Sequence, residues 1–341
     1  MYHFRRSMTN IMMTSKVKGV TGMVKNIQRT VLNEARSAAT KKSGFIPAFK
    51  KYKEVYIMLV PVVLYYLIFH YVPMYGLVIA FKNFRPSLGI MESSWVGLNH
   101  FKAFFGSFYF QRLIKNTLSI NIYGLIFGFP APIIFALFLN EVRNMRFKRI
   151  IQNVTYLPHF ISLTALCCMI IDIFSTKGPI NAVVRLFGTE AIPFFNVSSW
   201  FQPIYIATDI WAGFGWGSII YLSALTAIDP SLYEAASLDG ANRWQKMWHV
   251  TLMGIMPTVT IMLIMRVGHM LSLGSQKILL LYNPNIYETS DVISTFVYRK
   301  GLLGAEYSYT AAVDMFSSVL NFILLISVNM ISKKTNETSL W

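Results

Sequence analysis

Four charged residues interrupt stretches of sequence that are otherwise long and apolar. They are Asp172, Asp209, Arg266 and Asp314. An ionisable side chain inside a membrane is costly, so such residues usually face a polar path or pair with one another. These positions therefore mark either a route for a polar solute or ion pairs that hold helices together.

The sequence DIWAGFGW, at positions 209–216, joins an acid to indoles and glycines. Saccharides are bound by hydrogen bonds from acids and amides and by stacking on aromatic faces. The segment therefore predicts part of a saccharide path, whose residues would be Asp209, Trp211, Gly213 and Trp216. The alternative is purely structural, since tryptophans also form interfacial belts and glycines also allow close helix packing.

A second polar group lies near the next apolar stretch. It comprises Arg266, His269 and Gln276. These residues either line the same path, or Arg266 forms an ion pair with one of the membrane-embedded aspartates and only holds the helices together.

The sequence has none of the common catalytic or nucleotide-binding motifs. It contains no Gly-x-x-x-x-Gly-Lys-Ser/Thr phosphate loop, no His-Glu-x-x-His and no Gly-x-Ser-x-Gly. Its cysteines, Cys167 and Cys168, are adjacent within an apolar stretch, and no His/Cys cluster has metal-ligand spacing. We therefore expect that the chain has no catalytic residue, binds no metal and is not an enzyme. Any work on a solute must then be driven by an ion gradient or by another polypeptide.

Composition indicates a membrane protein. Of 341 residues, 54% are apolar and 13% are charged, whereas soluble domains carry roughly 25% charged residues. A helix needs about 20 mostly apolar residues to cross the hydrocarbon core. We expect an all-α polytopic fold with six transmembrane helices, near residues 55–80, 117–139, 150–171, 203–228, 257–273 and 310–332. The fifth of these is the shortest.

The distribution of Lys and Arg predicts the orientation. If the N-terminus is inside, 20 of the 31 basic residues lie on the cytoplasmic side and 10 outside. Cytoplasmic loops carry this excess, so both termini are expected in the cytoplasm of a multi-pass protein of the cytoplasmic membrane. Segment 1–54 alone holds 12 of them. Such a segment is attracted to anionic lipid headgroups, and no motif supports nucleic-acid binding.

The loop 229–257, between the fourth and fifth spans, resembles two short helices joined at a glycine. Ser231 and Glu234 have the spacing of a capping box, and Pro230 is typical of a first helical turn. Gly240 can adopt the left-handed conformation that ends a helix.

The second helix of this loop is predicted to begin at a cap formed by Asn242 and Gln245. This helix has amphipathic spacing and would present one side to the membrane interface or to a groove. That side comprises Trp244, Met247, Trp248 and Val250.

The first helix of the loop has features of a docking element. Ala235 and Ala236 permit close approach, while Glu234 and Asp239 can pair with basic groups of a partner. An ordinary interfacial helix pair would look similar, so the residues alone leave both interpretations open.

The sequence EAASLDGA at 234–241, followed by Pro257, resembles the "EAA" loop of permease subunits of binding-protein-dependent ABC importers. The segments YVPMYG at 71–76, LNE at 139–141, TYLPHFIS at 155–162 and LYNP at 281–284 are similar to the oligosaccharide and complex-polysaccharide branch of that family. The resemblance covers residues 52–334. Where the family often has a proline, this sequence has Met253.

The resemblance implies a type I ABC importer permease fold and a division of labour among subunits. The expected partners are a second, homologous permease, two cytoplasmic ATPases and an extracellular solute-binding protein. ATP and Mg²⁺ would bind the ATPases, and this chain would bind no cofactor. The coupling residues implied are Glu234, Ala235, Ala236, Asp239, Gly240 and Ala241.

We therefore expect a permease domain at 55–332 with a coupling loop at 229–257, a basic cytoplasmic segment at 1–54 and a cytoplasmic tail at 333–341. It would move an oligosaccharide or polysaccharide-derived saccharide by alternating access. The alternative is an ion-coupled carrier or channel built on Asp209, Arg266 and Asp314, although no internal repeat typical of such carriers is evident.

Overall fold

The computed structural model describes residues 53–270 and 274–336. The predicted N-terminal segment 1–54, apart from its last two residues, and positions 337–341 of the predicted tail lie outside that range. Most described residues are helical, which confirms the all-α class. The helices of four or more residues are α1 (Lys53–Tyr66), α2 (Gly89–Glu92), α3 (Asn99–Phe105), α4 (Phe108–Tyr123), α5 (Pro130–Glu141), α6 (Met145–Tyr156), α7 (Leu163–Ile173), α8 (Pro179–Leu186), α9 (Ser198–Thr226), α10 (Pro230–Leu238), α11 (Arg243–Lys246), α12 (Met253–Gly268), α13 (Ser275–Leu281), α14 (Tyr287–Ser290), α15 (Ile293–Val297) and α16 (Tyr307–Asn336).

Short π-helical or 3₁₀ turns connect or extend several of these helices. They are Leu67–Tyr71, Tyr75–Phe81, Gly124–Gly128, Leu157–Phe160, Phe194–Asn196, Met247–Leu252, Pro284–Ile286 and Tyr298–Leu303.

The chain divides into two compact units, Met1–Met74 and Tyr75–Trp341. The described part of the first unit is helix α1 with its C-terminal turns. None of the side chains of α1 is buried, although the helix is strongly apolar.

Within the described residues, four helical segments are long and apolar enough to cross a membrane. Two bent helix pairs raise the number to as many as six, in agreement with the predicted six spans. The four segments are Lys53–Phe81, Phe108–Glu141, Arg243–Gly268 and Tyr307–Lys334, and the pairs are Met145–Phe160 with Leu163–Ile173 and Ser198–Thr226 with Pro230–Leu238.

The fifth span is longer than the sequence suggested. It runs over Arg243–Gly268 and so includes the helix that we expected to end within the loop. Pro257, predicted to start the span, lies inside α12. A continuous span can contain this proline because a π turn, Met247–Leu252, precedes α12 and helps to rearrange backbone hydrogen bonding near Pro257. That turn also lies directly before Met253, where the family often has proline.

The third predicted span is a broken helix. α6 and its 3₁₀ extension meet α7 at an angle of 102°. Pro158 lies in that extension, and Ser162 caps α7 by accepting a hydrogen bond from the backbone N–H of Ala165. The break therefore follows from a proline and a new N-cap placed four residues apart.

A small hairpin lies in the second unit, before α4. Its strands are β1 (Lys82–Arg85) and β2 (Ser93–Trp95), antiparallel with Lys82 opposite Trp95. The Nζ of Lys82 donates to the carbonyl groups of Ile90 and Met91, which ties the intervening turn to the strand.

Helix α9 passes through the centre of the second unit. Its first half packs with α7 and α13 around Phe201 and Tyr205, and its second half packs with α5 and α12 around Tyr221 and Leu225. A third cluster joins α3, α4, α15 and α16 around Phe104. Because each half of this 29-residue helix contributes buried side chains to a different cluster, α9 connects the two clusters.

α6 approaches α9 closely at Gly215. A Cβ atom at that position would overlap the carbonyl group of Thr155. Glycine therefore permits backbone contact between the two helices, and the broken third span is held against the centre of α9.

Candidate functional site

The first part of the predicted loop forms a sharp bend after α9. We call residues 229–241 the acidic elbow. α10 begins with Pro230 in its first turn, and the side chain of Asp229 accepts a hydrogen bond of 2.9 Å from the backbone N–H of Ser231. The predicted cap at Ser231 is therefore wrong by two residues, because Asp229 occupies the capping position. This backbone hydrogen bond lowers the pKa of the Asp229 carboxyl.

The C-terminus of α10 is closed as the sequence predicts. Gly240 has φ +76°, and the N–H groups of Gly240 and Ala241 donate to the carbonyls of Ser237 and Ala236 at 3.2 and 2.9 Å. This pair of bonds is a Schellman motif, in which glycine takes the left-handed position. Asn242 and Gln245 then form the predicted capping box that starts α11.

Two further contacts hold the elbow against the following helix. The hydroxyl of Tyr233 donates to Thr251 Oγ1 at 3.1 Å, and Lys246 Nζ donates to Ser237 Oγ at 2.8 Å. Thr251 itself is buried. α10 is thus attached to the start of the fifth span, so a force on α10 is transmitted to that helix as well as to α9.

The surface of the elbow is exposed and combines acids with an apolar side chain. Glu234, Ala235, Asp239 and Gly240 are exposed, while Ala236 and Ala241 are half-buried. Leu238 is 90% exposed. An adjoining groove of about 300 Å³ is lined by Ala236, Asp239, Gly240, Ala241, Gln245, Lys246, His249 and Val250.

A large cavity of about 1080 Å³ lies along α4 and the first half of α9. Most of its surface is apolar, with polar and charged side chains interspersed, and aromatic rings lie further along α4. Its residues include Phe108, Gln111, Arg112, Lys115, Ser119, Tyr123 and Phe127 from α4 and the turn after it, Ser199, Gln202, Ala207 and Ile210 from α9, and Glu288 and Thr289 from α14. A space of this size accommodates a small oligosaccharide.

Hydrogen bonds hold the polar wall of the large cavity in place. Ser119 Oγ donates to Gln202 Oε1 at 2.7 Å, and Gln202 Nε2 donates to the carbonyl of Thr289 at 3.0 Å. Asn116 Nδ2 donates to the carbonyl of Glu288 at 2.8 Å. α4, α9 and α14 are therefore linked side by side around the cavity.

The charged residue at the centre of α9 has a different partner from the one considered. Asp209 Oδ1 lies 3.3 Å from Lys277 Nζ, and Arg266 forms no ion pair with any residue that the structure describes, so the expected Asp–Arg pair is not found there. Lys277 is buried, donates to the carbonyl of Tyr205 at 3.2 Å and lies 4.5 Å from the centre of that ring. Burial favours such a pairing because an isolated buried ammonium would be costly.

Asp209 and Arg266 nevertheless lie close together. Both line a small pocket of about 30 Å³ beside Tyr205, and Arg266 also approaches Gly124 of the neighbouring turn. The structure thus brings two residues of the predicted saccharide path into one polar cluster.

The other predicted path residues lie elsewhere. Trp211 and Trp216 are 41% and 43% exposed, and Trp216 stacks on His159 with ring centres 4.6 Å apart. Gly213 has open space around it. His269 ends α12, and Gln276 is exposed on α13. Neither tryptophan lines the large cavity; among the residues around Asp209 on α9, Ala207 and Ile210 do.

Sequence reasoning missed two groups of charged side chains, one in the polar cluster around Asp209 and one in the wall of the large cavity. Lys277 was counted with the loop cations, although the apolar run that follows it, ILLL at 278–281, signals burial. Arg112 and Lys115, with Ser119, follow helical spacing along one side of α4. That spacing was available in the sequence, but the partner elements α9 and α14 were not.

Comparisons with known proteins agree on one family. The family model described as "Binding-protein-dependent transport system inner membrane component" matches residues 128–337. The chain is 41% identical over 304 residues to Protein LplB of Bacillus subtilis (strain 168), covering 89% of this chain and 96% of that protein. It is 42% identical over 290 residues to the polygalacturonan/rhamnogalacturonan transport system permease protein YteP of the same organism, covering 85% and 90%.

Solved structures agree in fold. A bacterial alginate ABC transporter, in complex with an alginate pentasaccharide-bound periplasmic protein, contains a chain that superposes with a TM-score of 0.81 at 39% identity. The match covers 87% of this chain and 99% of that one. These comparisons confirm the type I importer permease fold and give no support to an ion-coupled carrier.

Proposed function

The chain belongs to the family of binding-protein-dependent transport system inner membrane components, and we propose that, as a permease subunit, it carries a polysaccharide-derived oligosaccharide across the cytoplasmic membrane. Several relatives support a saccharide: YteP is named for polygalacturonan and rhamnogalacturonan, and two further relatives for arabinooligosaccharides and maltodextrin. The large cavity, mostly apolar with interspersed polar groups and aromatic rings, has a composition that fits such a solute.

The continuity of α9 is the observation that carries this proposal. The N-terminal half of α9 lines the large cavity, and its C-terminus leads directly into the acidic elbow. A 29-residue helix spans about 43 Å, so the two features lie at opposite ends of one rigid element. Movement of the elbow therefore changes the position of the cavity wall.

The proposed mechanism is alternating access. Closure of an ATPase dimer moves the acidic elbow, α9 and the fifth span tilt with it, and the solute path opens to one side and then to the other. Transport is directional only because the two states differ in affinity for the solute. The residues proposed to contact the ATPase are Glu234, Ala235, Ala236, Asp239, Gly240 and Ala241.

The proposed assembly contains a second homologous permease, two ATPases that bind ATP and Mg²⁺, and an extracellular solute-binding protein. A periplasmic protein loaded with solute accompanies the alginate transporter in a similar structure. The exposure of Leu238 on the elbow supports a docked cytoplasmic partner, because an apolar side chain with 90% exposure gains from being covered. Both termini of this chain are proposed to be cytoplasmic, because most of its Lys and Arg residues would then lie on the cytoplasmic side.

The predicted saccharide path is retained in a narrower form. Asp209 and Arg266 lie beside the large cavity in one polar cluster and are proposed to border the path through it. The other predicted path residues remain proposals, because a partner permease would have to complete the path beside them. They are Trp211, Gly213, Trp216, His269 and Gln276.

Reversal of charge at the elbow tests the function. In a transporter co-purified with its partner subunits and reconstituted in liposomes, Glu234→Lys is expected to reduce ATP-driven oligosaccharide uptake at least tenfold, because a new cation opposes basic groups on the ATPase. Membrane insertion should be unchanged. Glu92→Lys, at another exposed acid outside the elbow, is the matched control and should retain uptake.

Two results would contradict the proposal. One is normal ATP-driven uptake by the Glu234→Lys protein. The other is strong uptake driven by an ion gradient without ATP and without the ATPase, which would support a carrier instead.

A further inference from the structure

The large cavity contains an arginine whose charge is only partly compensated. Arg112 Nη2 lies 3.8 Å from Asp291 Oδ2, which is longer than a hydrogen bond. The same carboxylate is already bound more closely by Arg299, whose Nη1 and Nη2 lie 3.1 and 2.6 Å from its two oxygens. The hydroxyl of Thr295 donates to Oδ1 at 2.8 Å.

Asp291 is therefore committed to Arg299. The carboxylate is fully buried, and its bidentate contact with Arg299 has the geometry of the strongest charged pairs. Burial alone would lower the pKa of Arg299. The hydrogen bonds and the charge of Asp291 outweigh that effect, so the pKa of Arg299 is raised and the guanidinium stays charged. One carboxylate faces two guanidinium groups, which leaves a positive charge at Arg112.

Two aromatic rings orient Arg112 without neutralising it. Its guanidinium carbon lies 5.7 Å from the centre of the Phe108 ring and 5.3 Å from that of Tyr109. Such contacts restrict the side chain, and a guanidinium that is already oriented loses less entropy when it binds a planar anion.

The neighbouring charges leave an excess of positive charge. Lys115, one turn further along α4, is exposed and also lines the cavity; it forms no ion pair with any residue that the structure describes. Residues three apart on a helix are neighbours on one face. Glu288 is the only carboxylate among the described lining residues, so two cations face one acid.

The wall further along α4 is aromatic. Tyr123 and Phe127 lie with ring centres 6.5 Å apart and are 48% and 59% exposed. Exposed ring faces offer an apolar surface for a sugar ring, while the guanidinium of Arg112 lies at the other end of the same cavity. The arrangement would hold an acidic sugar by its carboxylate at one end and its ring at the other.

We propose that Arg112, assisted by Lys115, forms a carboxylate-binding subsite that selects saccharides carrying uronic acid units. This inference rests on the proposed function, since it assigns the solute of that cavity. Glu288, which also lines the cavity and whose carbonyl accepts a hydrogen bond from Asn116 of α4, would accept hydrogen bonds from sugar hydroxyls and repel a carboxylate placed in the wrong direction.

Equilibrium binding tests the subsite without ATP. The purified complete transporter in lipid nanodiscs is titrated with oligogalacturonate and with its methyl ester, which has the same length and no charge. The wild-type protein is expected to bind the acid about tenfold more tightly than the ester, the usual size of one charge-assisted contact. Arg112→Gln should abolish that preference and leave ester binding unchanged.

Two further variants separate charge from structure. Arg112→Lys keeps a cation but not the planar fork, so an intermediate preference is expected. Lys102→Gln removes an exposed cation that does not line the cavity, and the preference should persist.

The subsite is excluded if the wild-type protein does not prefer the acid, or if the preference survives Arg112→Gln. It is also excluded if Arg112→Gln weakens acid and ester equally, since that indicates a structural role. The proposed function is judged separately by ATP-driven uptake, which none of these binding results decides.

Discussion

Gly240 acts through its backbone. Its φ of +76° is accessible to glycine at little cost, and no atom lies within 4 Å of the position that a Cβ would occupy. Substitution there is strained without any collision. Gly188, which follows α8, has φ +77° and equally open surroundings, so the two glycines differ in location and not in local geometry.

We expect Gly240→Ala to uncouple transport, and Gly188→Ala to leave coupling intact. Each should cost about 1 kcal/mol of local stability, since both place a side chain in the left-handed region. Only the first distorts the surface proposed to meet the ATPase. The measurement is the ratio of solute imported to ATP hydrolysed by the reconstituted transporter.

A milder variant completes this comparison. Gly240→Asn should restore most of the ratio, because asparagine tolerates a positive φ better than alanine. If the two alanine variants lower the ratio equally, the special role of the elbow is refuted.

For single residues, the sequence predicted helix caps better than it predicted the partners of charged side chains. Gly240 and the Asn242–Gln245 box depend only on neighbours along the chain, and both are confirmed. The start of α10 was placed at Ser231 because its spacing to Glu234 fits a box, but Asp229 before a proline competes for the same role and prevails. The Asp209–Lys277 pair joins residues 68 positions apart, and no local pattern encodes it.

Among the helices, the contact between α6 and α9 determines how the broken third span is held. Gly215 lies against the backbone of Thr155, whereas Gly217, two residues later, faces Pro132 with 3.3 Å of room for a Cβ. The same substitution therefore overlaps rigid backbone at one position, whereas at the other it makes a tight side-chain contact that a small shift of Pro132 relieves.

Gly215→Ala is expected to destabilise the protein by about 1–3 kcal/mol, as overpacking does, because α6 must move away from α9. Gly217→Ala should have a much smaller effect. Thermal unfolding of the purified protein in detergent checks this, with a clearly lower Tm for the first variant alone. Equal Tm values for both variants and the wild type would show that the close approach has no energetic importance.

The positions of the spans followed from hydropathy, but their shapes did not. Hydropathy predicts a short fifth stretch, 257–273, which begins at Pro257 and contains both Arg266 and His269. The helix in fact begins at Arg243, since the amphipathic turn around Met247 continues into α12. The bend in the third span depends on Pro158 and Ser162, which were read as part of a family motif and not as a break.

For the whole molecule, α9 connects the large cavity to the acidic elbow. The family and the importer permease function are established by sequence and structural similarity over most of the chain. We propose that the charge of the cavity determines which solute is selected and that the contacts of the elbow determine how transport is driven.

Photo-crosslinking at the elbow tests the central claim most directly. A photoreactive amino acid replaces Leu238, which is 90% exposed, or Leu186 on α8, which is 85% exposed, in the intact transporter in cells. The account predicts an adduct with an ATPase subunit from position 238 and none from position 186. Absence of an ATPase adduct at 238, or equal adducts at both positions, would contradict it.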